Sequence, residues 1–204
     1  MFVVSHMKNR IPYKSMVTDI VSKPGCGGLA LGLDFIRRDF VRQFLHKPIK
    51  TRAWCIVQVK GTTDGVKGDG HPFLYPPALP WELRKAISDK KLFWVSTGET
   101  AAASITQTLL ESGLCEGVLL VGLDKFARFT PASLWAKRWQ IASRKGGSHF
   151  LWVHENAHGV VGFDVRLEWT GPSHFEIKKG YGFIEGKGKH AILRRTSIVD
   201  QPAA

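Results

Sequence analysis

Cysteine is scarce in this 204-residue chain: Cys26, Cys55 and Cys115 are far apart, odd in number and set in apolar or glycine-rich contexts, with no Cys-x-x-Cys spacing. That pattern argues against a disulfide framework and against a thiolate metal site, and the simplest account is buried thiols in a reducing cytoplasm. Long apolar runs are missing as well. No segment reaches the ~18 residues of a membrane span, and the start of the chain has no signal-peptide pattern, so a cytoplasmic protein without a membrane partner is expected. Acid is the third deficit, with 17 Asp and Glu against 29 Lys and Arg, a net charge of +12. The imbalance exceeds what solubility needs and suggests a polyanionic partner, nucleic acid before membrane, with an acidic protein surface as the other possibility.

What the chain does have is enough apolar material, 44% of its residues, to close one good-sized core. Residues 1–24 are polar, basic and weakly patterned, ending in "SKPG", and read as an N-terminal arm. The stretch "GCGGLALGLDFIRRDFVRQFLHK" opens on glycines and then sets Leu33, Ile36, Phe40, Val41, Phe44 and Leu45 at helical spacing. "AWCIVQV" reads as a buried strand, and the Gly- and Pro-rich stretch after it as a long loop. A short helix is expected at "WELRKAIS", a strand at "KLFWVS", a helix at "GETAAASITQTLLESG" and a buried strand at "GVLLVGLD".

Thr130 and Pro131 supply the cap and first residue of a helix that stops at Gly146 and Gly147. "HFLWVHE" and "DVRLEWTG" read as strands, and the basic end as a hairpin or a flexible tail. Strands alternating with helices predict an α/β fold, a mostly parallel sheet with helices on both faces.

The middle of the chain resembles the RecA recombinase core. Thr97, Gly98, Glu99 and Ala101 match its helix start, Ser112 and Gly113 its helix end, Leu119 to Asp124 its apolar strand closing on Asp, and Phe129, Thr130 and Pro131 its exit. "FDVRLEWT" is similar to a later strand of the same family. The likeness spans roughly residues 25–170, leaving 171–204 as a basic C-terminal extension. In length and texture the chain is more similar to the RecA-related SOS-response proteins of the ImuA and SulA type, through "HPFLYPPALPWEL" and "SLWAKRWQIASRKGGSHFLWV".

A RecA-like nucleotide site needs Gly-x-x-x-x-Gly-Lys-Ser/Thr, whose backbone N–H groups wrap phosphate while Lys and hydroxyl reach the terminal phosphates and magnesium. Here "GCGGLALGLD" keeps the glycines without the Lys and hydroxyl, so the phosphate loop reads as degenerate. Lys60 and Gly61 stand where the family's catalytic Glu would follow the second strand, and His154, Glu155 and Asn156 replace its sensor Gln. Asp124 is then the strand-end acid of a degenerate nucleotide site, or an Asp that only caps the next turn. No catalytic residue and no cofactor are expected.

"HENAH" is a literal His-Glu-x-x-His at His154, Glu155 and His158, which on a helix would bind zinc with the Glu as base. Gly146, Gly147, Asn156, Gly159 and Gly162 argue against a helix there, and none of Asp164, Glu168 or Glu176 stands at a diagnostic spacing for a third ligand. The pattern therefore reads as a strand-end turn rather than a metal site.

Lys178, Lys179, Lys187, Lys189, Arg194 and Arg195, with Tyr181 and Phe183 interleaved, fit phosphate neutralisation with base stacking on a single strand; a solvated hairpin with its rings folded inward fits equally well. Trp135, Arg138 and Trp139 lie on the helix before Gly146 as candidate contacts for a protein partner, although tryptophans at that spacing also serve cores. By resemblance to ImuA, the expected partners are RecA, a translesion polymerase complex or single-stranded DNA. The alternatives are FtsZ, for a SulA-like division inhibitor, and ATP, for a RecA-type ATPase with an unusual phosphate loop.

Overall fold

The computed structural model describes residues 2–3, 15–22, 27–45, 52–59, 79–123, 132–155, 163–171, 174–180 and 192–195, with the backbone alone at 2–3, 42–45, 171, 174, 177, 179–180 and 192–195. In chain order the elements are β1 (Phe2–Val3), β2 (Val17–Val21), α1 (Gly28–Leu45), β3 (Ala53–Val59), α2 (Trp81–Ser88), β4 (Leu92–Thr97), α3 (Glu99–Glu111), β5 (Cys115–Val121), α4 (Ala132–Gly146), β6 (His149–His154), β7 (Val165–Gly171), β8 (His174–Gly180) and β9 (Ile192–Arg195).

The strands form one sheet in the order β1-β9-β8-β7-β2-β6-β5-β3-β4. From β4 across to β7 every pairing is parallel, and β8, β9 and β1 are added antiparallel. Parallel strands need crossover helices, and those helices cover both faces of the sheet. On one face α1 and α2 bring Leu31, Ile36, Phe40 and Leu83 onto Ile20, Leu119 and Leu151. On the other α3 and α4 bring Leu110 and Trp139 onto Val57, Leu120, Phe150 and Trp152. The mostly parallel α/β architecture expected from the alternation of elements is the one observed.

Two expected boundaries move. Residues 1–24 are not an arm: Val17–Val21 are buried at every position and lie between β6 and β7 in the middle of the sheet. The strand escaped notice because it is short and covered on both faces, so no polar alternation marks it, and its Asp19 reads as a solvent residue. Nor are residues 171–204 a separate extension. They contribute β8, which sets Phe175 against Trp169 and Glu176 against Glu168 on β7, and then β9. Val41 is more exposed than its helical spacing suggests. The side chains of Phe44 and Leu45, Thr130 and Pro131, and the long loop after "AWCIVQV" up to residue 78 lie outside the described residues.

The helix start expected at Thr97, Gly98 and Glu99 is where α3 begins, with Gly98 as its extended N-cap. Gly113, at a φ of +66°, turns the chain out of that helix as a left-handed residue does most cheaply in glycine. Cys55 and Cys115 are free and buried, and burial pushes the Cys55 thiol up to about 12, which makes it a poor nucleophile.

Gly146 closes the contact between α3 and α4. A methyl group there would stand 1.8 Å from the carbonyl oxygen of Leu110, a backbone atom that cannot swing aside. Gly146→Ala is therefore expected to cost about 2–3 kcal/mol of stability, read as a lower urea midpoint at unchanged slope. A second expectation concerns His149, whose Nδ1 accepts the Met16 N–H at 3.2 Å while its ring stacks on Trp54. Burial lowers its pKa from the ordinary 6.5, with the Asp39 charge opposing. Unfolding then takes up a proton, so stability is held above pH 6.5 and lost as pH falls below it. The urea midpoint should fall with acidification through this window, and His149→Gln should flatten that part of the profile.

Candidate functional site

In open α/β sheets, ligand chemistry gathers beyond the carboxyl ends of the strands, where successive crossovers part to opposite sides. That point here is β2: α1 carries the chain from it towards β3 on one side, and β6 continues to β7 on the other.

Asp19 sits in the middle of β2 at 1% exposure. One carboxylate oxygen is hydrogen-bonded to Nε2 of His154, the last residue of β6, and the other lies 3.5 Å from Nε of Arg166 on β7. Arg166 Nε is also 2.9 Å from a carboxylate oxygen of Glu168, whose side chain reaches solvent. The His154 ring stacks on Trp152 at 3.8 Å between centroids. The result is a row of groups, imidazole, carboxylate, guanidinium and carboxylate, running from the interior to the surface. A buried carboxylate persists because such partners replace the water it has lost.

The start of α1 lies on the opposite face of β2. The Gly28 N–H, at the start of α1, donates to Ser22 Oγ at 3.2 Å, and a methyl group on Gly28 would come 2.6 Å from Ser22 Cβ. At the position where a phosphate loop would offer a free N–H to an anion, this hydrogen is held by the protein's own serine. Gly122, with φ +80°, turns the chain out of β5 and ties back to the Val153 carbonyl.

Asp124 follows that turn and lies outside the described residues. The His-Glu-x-x-His pattern does not fall on a helix: His154 ends a strand with its Nε2 engaged by Asp19, Glu155 follows it in a bend, and His158 lies outside the described residues. The acids considered as third ligands are also engaged. Asp164 accepts the Val17 N–H at 2.9 Å, Glu168 holds Arg166, and Glu176 holds Lys178 at 2.7 Å. No group of three or more His, Cys, Asp or Glu suited to a metal occurs among the described residues.

Lys178 is exposed on β8, its ammonium stabilised by the hydrogen bond to Glu176, and Lys179 is its neighbour in the same strand. Arg194 and Arg195 stand in β9, paired with Val3 and Phe2. Tyr181, Phe183, Lys187 and Lys189 lie outside the described residues. Removing everything after Gly171 would strip β8 and β9 from the sheet, so the basic segment is not a detachable appendage.

Of the helix candidates, Trp139 belongs to the core rather than to a partner: it is fully buried and packs on Phe150 and Trp152, with its indole N–H donating to the Ala103 carbonyl. Trp135 stacks on Trp139 at 5.8 Å and carries the Arg138 guanidinium 5.0 Å above its ring, leaving those two at the rim. Asp19, Ser22 and Arg166 did not stand out in the sequence, and Glu168 did so only as a candidate third zinc ligand. The available signals were the β-forming "VTDIV" before a Pro-Gly turn and the alternation of "VRLEW".

No protein-family model and no curated protein matches the chain. Among solved structures it is similar to SulA from Pseudomonas aeruginosa, at 14% identity over 69% of this chain and 98% of that one, with a TM-score of 0.41. A likeness of that degree carries no argument about function. No helix among the described residues is long and apolar enough to cross a membrane.

Asp19→Ala should leave a buried imidazole and guanidinium without their shared counter-group and cost roughly 3–5 kcal/mol, whereas Asp19→Asn, which keeps a hydrogen-bonding side chain of the same shape, should cost less. Urea titration of both variants checks this. Equal losses would mean that the charge of Asp19 is unimportant.

Proposed function

We propose that this chain is a non-enzymatic accessory factor of the bacterial DNA-damage response, similar to ImuA, which supports translesion DNA synthesis through contacts with RecA, an error-prone polymerase complex or single-stranded DNA. The observation that carries the reading is the engaged Gly28 N–H at the start of α1. Ser22 occupies the Gly28 N–H that an anion would need, and no Gly-Lys-Ser/Thr follows β2. Phosphoryl transfer depends almost wholly on positioning and neutralising phosphate, so a turn altered in this way favours binding over hydrolysis.

Two further features support the same reading. In the segment that resembles RecA, Gly98 enters α3 and Gly113 leaves it. A core of this kind can keep surfaces for packing against related proteins after its chemistry is lost. The excess of 29 Lys and Arg over 17 Asp and Glu suits a partner that is DNA or is assembled on DNA.

The deciding experiment is affinity capture of the tagged full chain from DNA-damaged bacterial lysate, treated with nuclease, with mass spectrometry of the retained proteins. RecA or a translesion polymerase is the expected catch. FtsZ in their place would replace this reading with a division inhibitor of the SulA kind, and magnesium-dependent binding of a fluorescent ATP, abolished by Asp124→Ala, would overturn the non-enzymatic assignment.

A further inference from the structure

The sheet ends on β4, and among the described residues no strand pairs with its outer side. Proteins usually guard such an edge with charge, proline or a bulge, because its open N–H and C=O groups are a template for another strand. β4 reads Leu-Phe-Trp-Val-Ser-Thr and contains neither charge nor proline. Its register with β3 runs unbroken from Leu92 to Thr97, whereas β3 with β5 and β7 with β8 are interrupted by bulges.

The open groups can be named. The Trp54 N–H donates to the Lys91 carbonyl at 2.8 Å, so by alternation Phe93, Val95 and Thr97 also turn their backbone groups to β3. Leu92, Trp94 and Ser96 are left pointing outward. The side chains at this edge are under-covered too: Phe93 is 49% exposed, and Trp94 and Val95 are only half-buried.

We infer that this edge pairs with β4 of a second copy of the chain, antiparallel about a two-fold axis normal to the sheet. Such an axis keeps every side chain on its own face, so residues that oppose each other across it must both be odd or both be even in number. Two registers centre on the strand. Trp94 opposite Trp94 would set Lys91 against Thr97 and bring no opposite charges together, since Lys90, at a φ of +55°, turns the chain off the strand line before Asp89. Val95 opposite Val95 sets Lys91 against Glu99 twice, Phe93 against Thr97, and the outward groups of Trp94 against those of Ser96. Charge selects the second register, since only there does an ammonium oppose a carboxylate. The same pattern favours a second copy over an unrelated strand, because Lys91 and Glu99 flank β4 at the spacing that its own inverted repeat completes.

The full chain, of 22.7 kDa, is expected to sediment at twice that mass, with dissociation on dilution. Ser96→Lys, at an exposed position, should yield a monomer whose circular dichroism spectrum stays native. Lys91→Glu should weaken the dimer by roughly tenfold, and the swap Lys91→Glu with Glu99→Lys should restore it. A wild type that stays monomeric at the highest attainable concentration overturns the inference. So does a dimer unaffected by Ser96→Lys, or one that Lys91→Glu weakens and the swap fails to recover while the circular dichroism spectrum stays native.

Discussion

The centre of this sheet depends on one carboxylate. Asp19 is the acidic residue of a five-residue strand buried on both faces, and it holds β6 through His154 and β7 through Arg166. An apolar residue at that position would pack the same face without favouring one neighbour over another. A carboxylate specifies its neighbours, because its burial is tolerable only where both oxygens find partners. β2 is thereby keyed to the gap between β6 and β7, and that placement fixes where the sheet changes direction, where α1 begins and on which side β8 and β9 are added.

The same gap separates two chemistries. On the α3 and α4 face the row from His154 to Glu168 binds the strands to one another; on the α1 face Ser22 accepts the Gly28 N–H at the start of α1. Both use polar groups for internal satisfaction, and other side chains are left exposed at the sheet's edge and on its outer helices. Trp135 and Arg138 are at the rim of one such helix, and Phe93 is on one such edge.

Much of the fold was legible because the helices carry strong periodicity and the strands from β3 to β7 are apolar runs bounded by turn residues. Ile36 and Phe40 on α1, Ala102 and Leu110 on α3, and Trp139 on α4 are buried as their spacing suggests. The site was far less legible. Asp19 lies in a segment whose surrounding basic and polar residues hide its strand, and its partners are more than 130 residues away in sequence. No local pattern encodes a contact of that range. The two motifs that do stand out locally, His-Glu-x-x-His and the twin tryptophans, give up His154 to a strand-end hydrogen bond and Trp139 to the core, since a motif's spacing means what it implies only on the element it assumes.

The position of β2 also bears on how the chain is made. Val17 faces Phe150 and Thr18 faces Val165, so the strand has neighbours synthesised more than 130 residues after it. While the ribosome lengthens the chain, β3, β4 and β5 can assemble with their helices, but residues 17–21 have no sheet to join. An apolar strand without a docking place is the kind of segment that chaperones hold and that aggregates when they do not. Closure of the sheet is then a late, long-range insertion, slow for its topology rather than for its size, with the Asp19 charge entering the interior only when His154 and Arg166 have arrived to receive it.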